Sequence, residues 1–309
     1  RRQGLGPTLL ISPLLALIRN QIEAAERLGL RTITINSSTN TTVAQLADAL
    51  DTDTVDLVLV SPERLANPEF ADKAMPLLGR RPALMVIDEA HCISDWGHDF
   101  RPDYRRLAQV IQALGNGSPV LACTATANDR VVSDVADQLG AVGNVIRGPL
   151  GREGLGLHVV ELPTAAERLA WLHQVLPTLP GTGIIYCLTV HDVERVALWL
   201  RLRGHAVLPY TGGSDGDDRV AAEEKLQRNE VKALVATSAL GMGYDKPDLA
   251  FVIHFQAPGS PVAYYQQVGR AGRQLDSSVG VLLRGTEDRD IQDWFINTAF
   301  PEEADVNAV

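Results

Sequence analysis

The chain reads as an α/β protein of two domains, each a parallel sheet flanked by helices. Three observations predict this. Its 309 residues are enough for about two domains with separate cores. Short unbroken apolar runs such as Leu84-Met85-Val86-Ile87, bounded by turn signals, suit strands buried on both faces. These runs alternate with helical patterns, pause in a glycine-rich stretch near the middle of the chain, and then resume.

In the first half, Thr8-Leu9-Leu10-Ile11 is the first strand. Ser12-Pro13 then predicts a helix start, with a serine cap and proline at the first helical position. Leu15, Ile18, Ile22 and Ala25 share a face of that helix, and Gly29 ends it. Strands follow over 31–35 and 55–60, and Ser61-Pro62 repeats the helix start. The next strands are 83–88, which ends on Asp88 and Glu89, and 119–123, which runs into Thr124-Ala125-Thr126. Residues 144–157, rich in glycine, read as the interdomain linker. Beyond it the sequence predicts a helix over 165–176 and a strand over 183–187. A second helix over 191–203 carries Val193, Val196, Ala197 and Leu200 on one face, and strands follow over 234–237 and 250–255. The domains are expected at 1–147 and 148–285, with 286–309 a helix start and an acidic extension.

Composition narrows the classes. Forty-five per cent hydrophobic and 21% charged residues describe a globular protein, and no run of about 18 apolar residues offers a membrane span. No secretory leader is read at the start. Cys92, Cys123 and Cys187 lie far apart, with no CxxC spacing; free thiols in a reducing compartment are expected, and no zinc site within the chain. The net charge of −10 weighs against nucleic acid, although a local stripe of arginines and backbone N–H groups can suffice.

Ligands of parallel sheets bind beyond the carboxyl ends of the strands. Asp88 and Glu89 emerge there, where one carboxylate can hold Mg²⁺ directly or through water and its neighbour can orient a water against a phosphate. Late in the chain, Gln266-Gln267-Val268-Gly269-Arg270-Ala271-Gly272-Arg273 spaces two arginines three apart; on a helix they would share a face.

These segments, taken in order, resemble the helicase core of the RecQ family of superfamily 2. Leu10 to Leu17 resembles motif Ia, Val60 to Leu65 motif Ib, and Asp88-Glu89-Ala90-His91 motif II. Cys92 to Pro102 resembles the aromatic-rich loop and Thr124-Ala125-Thr126 motif III. Gly241 to Pro247 resembles motif V and Gln266 to Arg273 motif VI. The resemblance implies two tandem RecA-like domains and an ATP-dependent DNA helicase moving 3′ to 5′. Its cofactors would be ATP and Mg²⁺, and its partner single-stranded and partially duplex DNA. It further implies that Asp88 coordinates Mg²⁺ through water, Glu89 positions the hydrolytic water, Arg273 is the arginine finger and Arg270 a second γ-phosphate contact. Asp245 and Gly243 would complete the nucleotide site. His91, Thr124, Thr126 and Gln266 would couple hydrolysis to movement. DNA would meet Ser12, Ser61, Arg64, Trp96, His98, Phe100 and Arg101, the aromatic faces stacking on bases without regard to sequence.

The chain also departs from the family. No GxxxxGK[ST] phosphate loop occurs in the 309 residues, so the first domain is expected to lack its N-terminal phosphate-loop portion and the chain alone to bind ATP poorly. Asp95 stands where glutamine is usual, Cys187-Leu188-Thr189-Val190 lacks the motif IV arginine, and Gln274-Leu275 replaces Asp-Gly. These differences point to a divergent branch such as the actinobacterial RecQ-like type. The expected protein is a cytoplasmic, bacterial nucleoid-associated monomer with further C-terminal domains. Two alternatives stand beside it: a catalytically incomplete nucleic-acid-binding fragment, and a DEAH-type RNA helicase.

Overall fold

The computed structural model describes residues 6–13, 15–35, 41–65, 67, 70–78, 83–94, 107, 119–140, 143–149, 151–241 and 244–298. The chain divides into two compact units that meet in sequence between Arg147 and Gly148.

In the first unit the strands are β1 (Thr8–Ile11), β2 (Thr32–Ile35), β3 (Leu57–Val60), β4 (Leu84–Ile87) and β5 (Val120–Ala122). They form one sheet in the order β2-β3-β1-β4-β5, with every pairing parallel. Helices α1 (Leu15–Arg27), α2 (Val43–Asp51), α3 (Pro62–Leu65) and α4 (Met75–Leu78) lie in the crossovers that parallel pairing requires, and α5 (Asp129–Leu139) follows the last strand. Leu9, Ile11, Val58, Val60, Met85 and Ile87 form the core together with Leu46 of α2. β2 and β5 are the two edge strands, and in β5 Leu121 is 48% exposed.

The second unit holds β6 (Leu155–Glu161), β7 (Thr182–Tyr186), β8 (Val207–Tyr210), β9 (Ala233–Ala236), β10 (Leu249–His254) and β11 (Ser278–Arg284). Their order is β6-β11-β10-β7-β9-β8, again all parallel. The helices are α6 (Ala165–Val175), α7 (Val190–Leu202), α8 (Gly216–Gln227), α9 (Pro261–Val268) and α10 (Asp288–Thr298). β7, β9 and β10 are buried along their whole length, as strands covered by helices on both faces must be. Gly183 in β7 is required by close packing: a Cβ there would lie 2.2 Å from the Phe251 ring of β10. Thr164, Thr189 and Ser260 cap α6, α7 and α9, each accepting from the backbone N–H three residues on.

Several sequence expectations are corrected. The predicted linker over 144–157 overlaps β6, which starts at Leu155; Gly154 and Gly156 mask a strand whose apolar residues are largely exposed. The helix after Ser12-Pro13 begins only at Leu15, so Pro13 is not its first residue and Ser12 is not its cap. At Ser61, α3 does begin on Pro62, yet the serine hydroxyl makes no capping bond.

One buried cation organises the second unit. Arg168 on α6 is fully buried. Its Nη1 donates to Phe255 O at 2.8 Å and to Asp288 Oδ1 at 3.0 Å, and its guanidinium lies 4.6 Å from the Phe255 ring centre. Glu287 forms a second ion pair with it. Asp288 Oδ2 in turn accepts from Gly285 N and Ala257 N, both at 3.1 Å, so the start of α10 is tied to the end of β10. Removing one partner of a buried pair strands the other charge. Arg168→Ala is therefore expected to lower the stability of this unit by about 3–5 kcal/mol in urea unfolding; a loss below about 1 kcal/mol would show that Asp288 does not depend on it.

Candidate functional site

In the first unit the strand ends are in register: Ile11 stands opposite both Val60 and Ile87, and Ile87 opposite Ala122. The backbone ladder runs one residue further, with Ser12 N donating to Val60 O, Ser61 N to Ile35 O, Asp88 N to Ile11 O and Cys123 N to Ile87 O. Ser12, Ser61, Asp88 and Cys123 therefore form one row at the carboxyl edge of the sheet. Ser12 and Ser61 are buried, and their hydroxyls have no hydrogen-bond partner among the described residues. Their own N–H groups are used in the ladder.

Asp88 is half-buried. Its Oδ2 accepts from Gln21 Nε2 at 2.7 Å and its Oδ1 from Glu89 N at 3.0 Å. Burial, and secondarily the negative charge of Glu89, push the Asp88 carboxyl above the usual carboxylate range. A cation next to it would relieve both effects. Asp88 thus fits a Mg²⁺ held through water, while no group of three or more metal-binding side chains occurs among the described residues. Glu89 has a left-handed backbone (φ 50), a conformation that costs a non-glycine residue about 1 kcal/mol or more. The strain is held by the bond from Ala90 N to Cys123 O (2.8 Å), which pins the turn to the end of β5.

His91 links this turn to the next strand. It is fully buried, with Nδ1 2.9 Å from Thr124 Oγ1 and 3.2 Å from Glu89 Oε2. Thr124 Oγ1 also accepts from Thr126 N at 3.2 Å. Glu89, His91, Thr124 and Thr126 are thereby joined in one chain of contacts.

In the second unit, α9 ends at Val268 and the arginines lie beyond it. The helical reading of Arg270 and Arg273 is thus corrected: Gly269 caps the helix and Gly272, at φ +69, turns the chain away. Arg270 is buried, whereas Arg273 is exposed and its Nη1 donates to Asp245 Oδ1 at 2.8 Å. Arg270 acts on the buried Tyr186 hydroxyl: burial raises that hydroxyl's pKa and the guanidinium charge opposes the rise. Tyr186 itself donates to Leu240 O at 2.9 Å. Its ring stacks on His254, which also meets the Tyr264 ring of α9. His254 Nε2 lies 2.9 Å from Gln267 Oε1. Gln266, the expected coupling residue, is half-buried; the glutamine joined to His254 is its neighbour Gln267. Gln21, Tyr186, His254 and Gln267 were not singled out as site residues from sequence, because their roles come from contacts between elements. Arg64 is half-buried at the end of α3. Trp96, His98, Phe100, Arg101 and Gly243 lie outside the described residues.

Burial holds His254 down to about 4 from its ordinary 6.5. The unfolded chain therefore takes up a proton near 6.5 that the folded chain takes up only near 4, so stability falls as pH drops through that window. Between pH 7 and pH 5 this group should cost the second unit on the order of 2 kcal/mol. Urea unfolding at the two pH values, with and without His254→Asn, measures it; an equal pH dependence in both proteins would remove His254 as the cause.

Comparison with known proteins places these features. A DEAD/DEAH box helicase family matches residues 2–135, and the helicase conserved C-terminal domain matches residues 167–274. The probable ATP-dependent DNA helicase RecS of Bacillus subtilis is 35% identical over 297 residues, which cover 94% of this chain and 58% of that protein. The ATP-dependent DNA helicase RecQ of Bacillus subtilis is 35% identical over 300 residues, covering 96% of this chain and 50% of that protein. The chain thus spans about half the length of these relatives. The solved structure of helicase Lhr of Mycobacterium smegmatis, bound to single-stranded DNA and AMP-PNP, superposes with a TM-score of 0.67 at 21% identity, over 91% of this chain and 40% of that one. The architecture is that of tandem RecA-like helicase cores. With both helicase domains in order and a third of its residues shared with RecS and RecQ along nearly its whole length, the chain belongs to the RecQ family of superfamily 2 helicases.

Proposed function

We propose that this chain is the motor core of an ATP-dependent DNA helicase that moves 3′ to 5′ on single-stranded DNA and unwinds duplex ahead of it. The observation that carries the reading is the contact chain Glu89–His91–Thr124–Thr126. It links a carboxylate able to orient a water with the strand end that follows it. A merely structural acidic turn has no need of such a link.

Magnesium and ATP would supply a polarised γ-phosphoryl group and its leaving group. Asp88 would hold the metal, its Oδ2 oriented by Gln21 Nε2 and its Oδ1 by Glu89 N. Glu89 orients the attacking water, and His91 keeps that carboxylate in register with Thr124. Arg270 and Arg273 supply guanidinium charge to the phosphoryl oxygens, and Asp245 holds Arg273 until the phosphate takes its place. Gly243 and Gln266 belong to the same nucleotide and coupling segments. On the DNA side, Arg64 meets the backbone, while Trp96, His98, Phe100 and Arg101 receive the bases. Ser12 and Ser61 hold the strand ends from which these contacts project. The sequence contains no Gly-Lys phosphate loop, so the 309 residues alone are expected to hydrolyse ATP poorly. The working protein is read as a cytoplasmic monomer acting on the nucleoid.

The test is Mg²⁺-dependent ATP hydrolysis, with and without single-stranded DNA, by this chain and by the full-length gene product. Hydrolysis by the full-length product should rise with DNA, and Glu89→Gln should lower kcat at least about 100-fold with DNA binding kept. DNA binding without turnover in the unsubstituted full-length product would favour a binding module instead.

A further inference from the structure

The turn that carries Arg270 and Arg273 is held from outside its own motif. Arg152, three residues before β6, directs Nη1 to Gly269 O at 3.0 Å and to Ala271 O at 2.6 Å. These carbonyls flank Arg270 on both sides. They stand just past the C-terminus of α9, where helix carbonyls lack intrahelical partners and the helix dipole favours a cation. Two residues on, Gly154 O accepts from Ser278 N at 2.7 Å. Gly154 adopts φ +82, and a Cβ at that position would lie 2.2 Å from Asp276 O. The segment 152–154 is therefore attached on both sides of the arginine turn, at 269–271 and at 276–278.

The turn's own bonds are less confining. Arg270 N reaches Gln267 O at 3.3 Å and Ala271 N reaches Val268 O at 3.1 Å. Gly272 N and Gln274 N bond outward, to Leu249 O and Pro247 O. Nothing in that set fixes the two carbonyls beside Arg270; Arg152 does. Arg152 also lies in the first residues of the second unit, directly after the point where the chain leaves the first.

The geometry points to Arg152 as a positioning residue for Arg270 and Arg273, through which the segment leading into β6 fixes the turn that carries the guanidinium pair. This role rests on the helicase reading above, and the experiment separates the two. Arg152→Gln and Arg152→Lys are made in this chain and in the full-length gene product. In the chain, amide hydrogen exchange over 269–273 and the Arg270 side-chain Nε–H signal are followed by NMR. Arg152→Gln should raise exchange in that turn about tenfold or more and broaden or shift the Arg270 signal, with exchange in β7 and β10 unchanged. In the full-length product, kcat for DNA-stimulated hydrolysis should fall about tenfold while KM for ATP stays within about twofold. Arg152→Lys, which keeps a cationic donor, should recover part of both effects.

An unchanged turn in Arg152→Gln overturns the inference whatever the activity. So does a loosened turn with unchanged kcat, or a loss of kcat matched by a general loss of stability. Should the unsubstituted full-length product hydrolyse no ATP, the helicase reading fails by itself, and the exchange and Arg270 signals still decide whether Arg152 holds the turn.

Discussion

The row of backbone hydrogen bonds one residue past the strand ends is the constraint on which the first unit depends. Parallel pairing without a bulge leaves Ile11, Val60 and Ile87 level, so Ser12, Ser61 and Asp88 must follow level as well. Ser12 thereby neighbours Ser61, 49 positions away in sequence, and Asp88, 76 positions away. The apolar runs make the alignment firm, since a one-residue slip would turn Leu9, Ile11, Met85 and Ile87 out of the core. Core packing thus determines where the polar residues stand.

The second unit repeats the device and uses it differently. Cys187 N bonds to Ala236 O, Phe255 N to Tyr186 O, and Thr237 N to Tyr210 O, again one residue past the strands. Here the last residues of β7 and β10 are Tyr186 and His254, whose stacked rings stand beneath α9. A neutral imidazole suits that place, because its partner Gln267 is neutral and an imidazolium would be buried without a counter-charge. The same unit buries the guanidinium of Arg168 completely and surrounds it with Asp288, Glu287 and the Phe255 ring. Burying a cation is tolerable only with this degree of pairing.

The strands were legible wherever burial on both faces demanded an apolar run, as in β1, β3, β4, β7 and β10. The α7 face of Val193, Val196, Ala197 and Leu200 was equally plain, and all four are fully buried. Other elements lacked such a signal. α8, Gly-Asp-Asp-Arg-Val-Ala-Ala-Glu-Glu-Lys-Leu-Gln, buries only Ala222 and Leu226, so it has no apolar stripe to read. β8 contains Pro209, which a strand accepts at a sheet edge, and β8 is an edge. At the site, Asp88 and Glu89 were readable from their place after an apolar run. The spacing of Arg270 and Arg273 suggested a shared helical face, but Gly269 and Gly272 decide otherwise. The partners Gln21, His254, Tyr186 and Arg152 carry no sequence mark of function, because each acts on a residue far away in the chain.

Charge is where local arrangement overrides composition. The chain's net charge of −10 would repel a polyanion, yet its ionisable groups are sorted. The carboxylates Asp88 and Glu89 stand together at one strand end of the first unit, where burial and then the charge of Glu89 push the Asp88 carboxyl up. The arginines Arg270 and Arg273 stand in one turn of the second. Arg273 is already neutralised by Asp245, but both partners are close to half exposed, at 43% and 46%. Exposed pairs of this kind contribute only about 0–1 kcal/mol. Separating Arg273 from Asp245 therefore costs little. Arg270, buried beside Tyr186, has its position set by the fold. One guanidinium is exposed and the other is buried in a turn whose carbonyls Arg152 holds.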